Sequence, residues 1–372
     1  MYRKAVFFAF ILLFAAPLTS QATVVSKMYE VSLPVVSQEV PIRRAAFEQA
    51  FIQVLVRVSG SSLASTSIDL RMAPKFVQQY RYLSLDPAQN VNKDVLPGMP
   101  VAKHNLWVQF NEGSIKKLLR EKGLPIWGRQ RPTVLMWIAV RDGKNRYILR
   151  EQDQSTIKDA LTQEAERRGL PVIWPRFDKQ DQAIASFPDV WGSFWDPVVR
   201  ASKNYPVDAV MIGRMNWKGG SWQVDWSLML DGKSDSWRLK ALDLQLLMAS
   251  GVDVATDQIA SRFSVLEDVT NEGEIVVQVN GVQQLHSYAG TERYLRSLAP
   301  VKNVFATEVA ADFVRFHVDV TGNKDDLRRI IALGKTLAPD EPPKPQLPVN
   351  LQNPQLPVPA LPSNVLTYKY RR

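Results

Sequence analysis

The stretch Val134-Leu-Met-Trp-Ile-Ala-Val140 decides the fold of this chain. A continuous apolar run of this kind is typical of a strand that is buried on both faces of a sheet. A helix capped by Ser155 and ended by Gly169 follows it, and then a short strand over residues 172–174. Helical residues 191–203 lead to a second apolar run, Asp208-Ala-Val-Met-Ile-Gly213. This β-α-β-α-β order predicts a sheet with helices packed on it.

The residues after this sheet predict a β-meander. Gly219-Gly220 and Asp231-Gly232 are turn signals, and apolar and polar residues alternate between them. Trp222 and Trp226 fall on the apolar side of that alternation, so we expect them to pack under the sheet. A closing helix over residues 252–263 completes a central α/β domain, which we assign to residues 125–263.

The N-terminal module, residues 23–124, is predicted to mix strands and helices. Apolar residues alternate over residues 29–33 and again over residues 106–110, which predicts two strands. Between them an apolar stripe with helical spacing predicts a helix from Pro41 to Gly60, because proline is tolerated in a first turn and glycine often follows a helix end. A weaker helix is predicted for residues 73–82, and a short helix for residues 114–122.

The C-terminal residues predict a third module and a tail. Residues 274–338 follow the order β-α-β-β-α, which predicts a two-layer sandwich of helices on one sheet face. Nine of the 24 prolines lie in residues 339–372, so we expect this tail to be disordered or polyproline-like. The predicted fold class is therefore mixed, α+β or α/β, in three small modules.

Residues 1–22 have the features of a cleaved export signal. Arg3 and Lys4 precede an apolar run from Ala5 to Leu18, and Ser20-Gln21-Ala22 supplies the small residues of a cleavage site. The run is short for a permanent membrane helix, although an uncleaved anchor remains the alternative. We therefore expect a periplasmic protein that is cleaved near Ala22, with no membrane span in the mature chain.

The composition limits the classes of function. The chain carries 46 Lys and Arg residues against 37 Asp and Glu residues, but the basic excess outside the signal and the tail is small. A clustered basic face is the usual sign of nucleic-acid binding, so no nucleic-acid partner is expected. The chain has no cysteine, which excludes disulfides, thiol catalysis and thiolate metal sites.

No catalytic constellation stands out in the sequence. The three histidines, His104, His286 and His317, belong to different predicted elements and show no metal-ligand spacing. Ser59-Gly60-Ser61-Ser62 follows a helix rather than a strand, so it does not fit a nucleophile elbow. Phosphate-binding glycine motifs are absent too. We therefore predict no catalytic residue, no metal ligand and no cofactor.

One acidic and aromatic segment remains a candidate site. Acid pairs beside aromatic rings are used by glycan-cleaving enzymes, and Asp189 and Asp196 would share a face if they lay on one helix. The same residues also fit a noncatalytic glycan or peptide groove, while Asp189 alone fits a helix cap. The candidate binding set consists of Trp174, Asp178, Asp181, Asp189, Trp191 and Trp195.

Several motifs in combination resemble an uncharacterised family of exported proteobacterial proteins, a domain of unknown function of the DUF2066 type. The likeness covers most of residues 24–338. It implies a periplasmic location and no established reaction, so no catalytic residues are carried over. The motifs are Arg43-Arg44-Ala45-Ala46-Phe47, Val54-Leu-Val-Arg-Val-Ser-Gly60, Leu124-Pro-Ile-Trp-Gly128, Arg131-Pro-Thr-Val-Leu-Met-Trp137, Arg168-Gly-Leu-Pro171, Trp174-Pro175, Asp189-Val-Trp-Gly192 and Asp208-Ala-Val-Met-Ile-Gly-Arg214.

The central domain is also similar in layout to the N-terminal domain of the Tol-system translocation protein, which is a protein-docking module. This chain has neither a lipid-anchoring cysteine nor a propeller domain. The expected function is a noncatalytic accessory protein of the cell envelope that docks on envelope proteins or on peptidoglycan. The alternative is a cell-wall glycan hydrolase that uses carboxylates of the Asp189 and Asp196 type.

Overall fold

A computed structural model describes residues 23–84, 101–266, 272–340 and 365–371. The chain forms several small sheets with helices packed on them, so the predicted mixed class is confirmed. Residues 1–22, on which the export prediction rests, lie outside the described residues.

In the N-terminal module one long helix packs on a three-stranded antiparallel sheet. The apolar stripe of this helix places Phe51 between Phe76 and Phe110, with ring centroids 5.1 and 5.7 Å apart. The strand order is β2-β4-β3, and β1 pairs with β5 at the start of the next module. The elements are β1 (Thr23–Val24), β2 (Glu30–Val35), α1 (Val40–Ser59), β3 (Val77–Ser84), β4 (His104–Phe110), α2 (Glu112–Glu121) and β5 (Gln130–Arg131).

The weaker helix predicted for residues 73–82 is wrong. Leu70–Lys75 form a 3-10 helix that contains Pro74, and Val77–Ser84 form strand β3. Proline removes a backbone donor from a helix interior, while β4 offers a hydrogen-bonding partner along the whole of β3. Aromatic residues such as Tyr80 and Tyr82 favour the extended conformation that this pairing needs.

The central module is the predicted sheet with helices on both faces. Every residue from Val134 to Val140 is buried, as expected for a strand covered on both sides. The strand order is β11-β10-β9-β6-β7. Strand β8 also pairs with β6, on the same edge as β7, and β6 runs parallel to both β8 and β9. The elements are β6 (Val134–Asp142), β7 (Asn145–Ile148), α3 (Thr156–Arg168), β8 (Val172–Ile173), α4 (Lys179–Ile184), α5 (Phe187–Gly192), α6 (Trp195–Ser202), β9 (Ala209–Lys218), β10 (Ser221–Leu230), β11 (Lys233–Ala241) and α7 (Leu244–Phe263).

The two faces of this sheet have different covers. Helices α3 and α7 close one face, where Trp226 is fully buried against Gly213 and Gly251. A Cβ atom at either glycine would lie less than 3 Å from the Trp226 ring, so the ring fits because those side chains are absent. Trp226 therefore packs under the sheet as predicted, whereas Trp222 is half-buried. Helices α4, α5 and α6 lie on the opposite face.

The third module is the predicted β-α-β-β-α sandwich with two further strands. Its sheet has the order β13-β14-β12-β16-β15, and β16 runs parallel to β12. The elements are β12 (Glu272–Asn280), α8 (Leu285–Ser297), β13 (Val301–Val309), β14 (Phe313–Thr321), α9 (Lys324–Ala332), β15 (Leu337–Pro339) and β16 (Val365–Tyr370).

Strand β16 corrects one part of the disordered tail predicted for residues 339–372. Leu366 and Tyr368 are buried in the third core, between β12 and β15. The apolar alternation of residues 365–370 begins just after Pro362, the last proline of the chain, and it provides the anchors that the Pro-rich residues lack. Residues 341–364, which carry most of those prolines, lie outside the described residues.

Three buried arginines connect the first two modules. Arg131 is fully buried, stacks on Trp127 with its guanidinium carbon 3.8 Å from the ring centroid, and donates only to backbone carbonyls among the described residues. Arg57 O accepts at 2.6 Å, and Arg168 O and Gly169 O each accept at 2.9 Å. These carbonyls belong to the last turns of α1 and α3 or directly follow them, and a helix leaves such carbonyls without intrahelical partners.

Arg57 and Arg168 complete this junction. Arg57 donates to Lys27 O and Glu30 O, both at 2.8 Å, so it ties α1 to the start of β2. Burial, and then the charge of Arg167, lowers the pKa of Arg57 to about 10. Arg168 donates to the carboxylates of α7 and to Gly60 O at 2.7 Å. The motifs around Gly60, Trp127, Arg131 and Arg168 therefore meet at one buried junction.

Candidate functional site

The predicted acidic residues of the candidate segment mostly cap helices. Asp178 is the N-cap of α4, where its Oδ1 accepts from the backbone N–H of Gln180 at 2.9 Å and of Asp181 at 3.1 Å. Asp189 forms a capping box with Ser186, whose backbone N–H lies 2.8 Å from Asp189 Oδ2. Hydrogen bonds from the Ser186 hydroxyl and N–H lower the pKa of Asp189. Both carboxylates therefore satisfy helix N–H groups.

Asp181 differs because it is fully buried. Its Oδ2 accepts from the backbone N–H of Phe177 at 2.9 Å and from the Tyr205 hydroxyl. Burial, and then this hydrogen bond, raises the pKa of Tyr205 to about 12. Asp181 Oδ1 is buried without a partner among the described residues. This pair joins α4 to the residues that follow α6, so it holds the helices of this face together.

Asp189 and Asp196 do not lie on one helix. Helix α5 ends at Gly192, Ser193 adopts a left-handed conformation, and α6 begins at Trp195. The shared face that one helix would give them is therefore absent, and Asp196 occupies the first turn of α6 instead.

The three predicted tryptophans differ in exposure. Trp174 is buried in the core under α3, and Trp195 is half-buried against the core under α4–α6. Trp191 is half-buried at the end of α5, where it stacks on Phe187 with the ring centroids 5.7 Å apart. Trp191 is the member of the set that contacts two arginine side chains.

Two arginines from the central strands hold Trp191. The guanidinium carbon of Arg141, near the end of β6, lies 4.1 Å from the Trp191 ring centroid. Arg214 on β9 donates from Nη1 to the Trp191 carbonyl at 3.1 Å. The first contact is a cation–π interaction, and the second fixes the backbone at the end of α5.

The arginines continue into a charged row across the sheet. Arg214 pairs in register with Asp225 on β10, and Asp225 pairs with Arg238 on β11. Arg214 Nη2 lies 3.2 Å from Asp225 Oδ2, and Arg238 donates to Asp225 Oδ1. We call this surface, formed by Arg141, Trp191, Arg214, Asp225 and Arg238, the Trp191 shelf.

The Trp191 shelf carries three guanidinium groups and one carboxylate. The Nε atoms of Arg141 and Arg214 are buried and have no hydrogen-bond partner among the described residues. Because these two N–H groups are enclosed, they are not open to a partner. The accessible part of the surface is formed by the Arg214 and Arg238 side chains, 29% and 66% exposed, beside an aromatic ring. Its geometry suits an acidic group that approaches along the open part of the sheet.

Trp191 stands out in the sequence, whereas the four charged members of the shelf were not among the predicted site residues. Arg141 follows the buried run of β6, and Arg214 follows that of β9. Strand alternation places both on the face of Trp137 and Ile212, and that pattern was available in the sequence. The pairing with Asp225 and Arg238 needed the register of the meander.

Residues 22–128 match the model of a family described as a domain of unknown function, DUF8605. This match is consistent with an uncharacterised family over residues 22–128, and its number differs from the DUF2066 type that the motifs suggested. No curated protein and no solved structure gives a significant match to the chain. Among the helices of the described ranges, none has both the length and the apolar character that a membrane crossing requires.

Proposed function

We propose that this protein is a noncatalytic docking protein of the bacterial cell envelope and that it docks through the Trp191 shelf. The observation that carries the proposal is the half-buried Trp191, whose ring contacts Arg141 and whose carbonyl accepts from Arg214, in a charged row that continues to the exposed Arg238. Tryptophan and arginine are the residues most enriched among those that dominate binding energy. Guanidinium groups bind carboxylates in a fork geometry, so the proposed partner is an acidic segment of an envelope protein.

The burial, the capping roles and the pKa of the carboxylates in the candidate segment favour docking over glycan hydrolysis. A general acid needs a carboxyl group that can reach the substrate and hold a proton near neutral pH. Asp181 is fully buried, Asp178 caps α4, and the pKa of Asp189 is lowered rather than raised. If purified protein degrades isolated wall material over a range of pH, the noncatalytic part of this proposal is wrong.

The proposed location rests on the sequence. Residues 1–22 have the pattern of an export signal. The resemblance of the motifs to exported proteins of the DUF2066 type supports the same compartment. The layout of the central module, similar to the N-terminal domain of the Tol-system translocation protein, supports a docking role by analogy.

The experiment places a photocrosslinking residue at Lys240, which is exposed on β11 beside Arg238 and on the same face of the sheet. Crosslinking in cells is then compared for the unchanged protein and for Arg238→Glu, which reverses one charge of the shelf. Arg238 has a side chain that is 66% exposed, so we expect the fold to tolerate the change. The proposal expects one reproducible protein adduct that Arg238→Glu reduces at least tenfold.

The matched control is Arg328→Glu on α9. Its side chain is 55% exposed and pairs with an aspartate, as Arg238 does, but it lies in the third module. This variant should leave the adduct at its original level. An adduct that both variants reduce equally, or no protein adduct at all, would refute docking through the shelf.

A further inference from the structure

The sheet of the third module has one face that no helix of the described residues covers. Helices α8 and α9 cover one side, where Phe316 and Val318 are buried. His317 and Asp319 alternate with those residues and therefore point to the opposite side. Glu274 on β12 pairs in register with Asp319, so three possible metal ligands come from two neighbouring strands.

The ligand atoms of these residues converge. His317 Nε2 lies 3.3 Å from Asp319 Oδ1 and 3.8 Å from Glu274 Oε2. One nitrogen and two oxygens lie within 4.8 Å of one another. Two atoms bound to the same tetrahedral zinc ion at about 2.0–2.2 Å are about 3.4 Å apart. The three atoms thus need only a modest movement of the exposed Glu274 side chain to share one ion.

Two neighbours on β13 orient the ligands. Asn303 Nδ2 donates to Asp319 Oδ2 at 3.1 Å, so Oδ1 is the oxygen that faces the imidazole. Phe305 stacks on the His317 ring with the centroids 4.7 Å apart and the planes 21° apart. Outer contacts of this kind fix ring and carboxylate orientation in metal sites.

We propose that Glu274, His317 and Asp319 bind a divalent transition-metal ion of the zinc class. Zinc accepts both imidazole nitrogen and carboxylate oxygen, whereas magnesium and calcium sites are built from oxygen ligands. Three protein ligands leave a tetrahedral ion one open position on the solvent side of the sheet. This inference is independent of the Trp191 shelf, which lies in another module.

The test is calorimetric titration of the full chain, without an added histidine tag, with zinc chloride. We expect one saturable site, with no comparable heat from magnesium. His317→Ala and Glu274→Gln should each weaken zinc binding at least tenfold. Asn303 contacts the site only through its hydrogen bond to Asp319 Oδ2. Asn303→Ala should therefore loosen the orientation of Asp319 and weaken zinc binding about tenfold.

His286→Ala is the matched control, because His286 is an exposed histidine on α8 of the same module. It should leave zinc binding unchanged. Nuclear magnetic resonance of the histidine rings provides a second readout, since zinc should shift the His317 nitrogens selectively. Absence of saturable binding, or equal binding by the wild-type chain and by Glu274→Gln and His317→Ala, would overturn the proposal.

Discussion

Replacing Arg168 by methionine should destabilise the junction of the first two modules. The Arg168 side chain is fully buried, with Nη1 2.6 Å from Asp253 Oδ1 and Nη2 2.6 Å from Asp257 Oδ1. Nη2 also donates to Gly60 O, just past the end of α1. Methionine keeps much of the apolar volume, so the loss should report mainly on the guanidinium group.

The expected loss of unfolding free energy depends on the contacts that Asp253 and Asp257 keep after Arg168 is replaced. Removing one member of a buried ion pair typically costs about 3–5 kcal/mol. Asp253 is 30% exposed and keeps Arg167, while Asp257 is 37% exposed and keeps two hydrogen bonds from Ser62. Because neither carboxylate loses all its partners, we expect the lower end, about 3 kcal/mol of unfolding free energy.

The assay is urea unfolding, followed by tryptophan fluorescence and by circular dichroism to check that the transitions coincide. Arg167→Met is the matched control, because Arg167 pairs with Glu164 and Asp253 but its side chain is 27% exposed. Partly exposed pairs of this kind contribute up to about 1 kcal/mol. The reasoning is refuted if the unfolding free energy of Arg168→Met lies within about 1 kcal/mol of the wild-type value, which is about what an exposed ion pair contributes. It is also refuted if Arg167→Met lowers the unfolding free energy as much as Arg168→Met does.

Three further outcomes are expected. In urea unfolding, Gly60→Ala should lower the free energy of unfolding more than Gly123→Ala does. Both glycines have a positive φ, but of the two only Gly60 has a neighbour within contact distance of an added Cβ, namely Ala260 Cβ at 2.3 Å. Such overpacking adds about 1–3 kcal/mol to the cost. Equal costs would contradict this. Burial raises the pKa of Tyr368 from 10.0 to about 12. The stability that the neutral, buried hydroxyl contributes is therefore fully present below pH 10 and is lost as the pH rises towards 12. At pH 11 the loss in unfolding free energy should be about 1.4 kcal/mol. Tyr368→Phe should reduce the fall in the urea midpoint between pH 9 and 11, and an unchanged fall would exclude this cause. Deleting residues 365–371 removes two buried side chains and should make the third module protease-sensitive, with a loss of about 3 kcal/mol or more; unchanged digestion would show that β16 is dispensable.

The sequence predicted the elements whose signals are local. The apolar run of residues 134–140, the stripe of α1 and the β-α-β-β-α order of the third module all follow from periodicity within one segment. Strands β3 and β16 were missed. Most side chains of β3 are exposed, so this strand has no clear apolar face, and its extended conformation depends on pairing with β4. For β16, the high proline content of the preceding residues obscured a short apolar alternation.

The candidate site was predicted only in part, because some of its features are local in the sequence and others depend on pairing between strands. The segment around Trp191 stood out by composition, and the cap role of Asp189 was one of the readings left open. Asp178 and Ser186 also lie at cap spacing from Asp181 and Asp189, which is a local signal. The pairing of Arg214 with Asp225 and Arg238, and of Glu274 with Asp319, depends on register between strands, which spacing along one segment does not provide.

Strand β16 also affects the order in which the third sheet is completed during synthesis. Its parallel partner β12 emerges from the ribosome earlier, and residues 281–364 are translated before β16 follows. Until then the edge of β12 lacks the neighbour that finally covers it, and an uncovered strand edge can pair with other chains. Until β16 is in place, this edge of β12 is therefore a point at which the incomplete third module can associate with other chains.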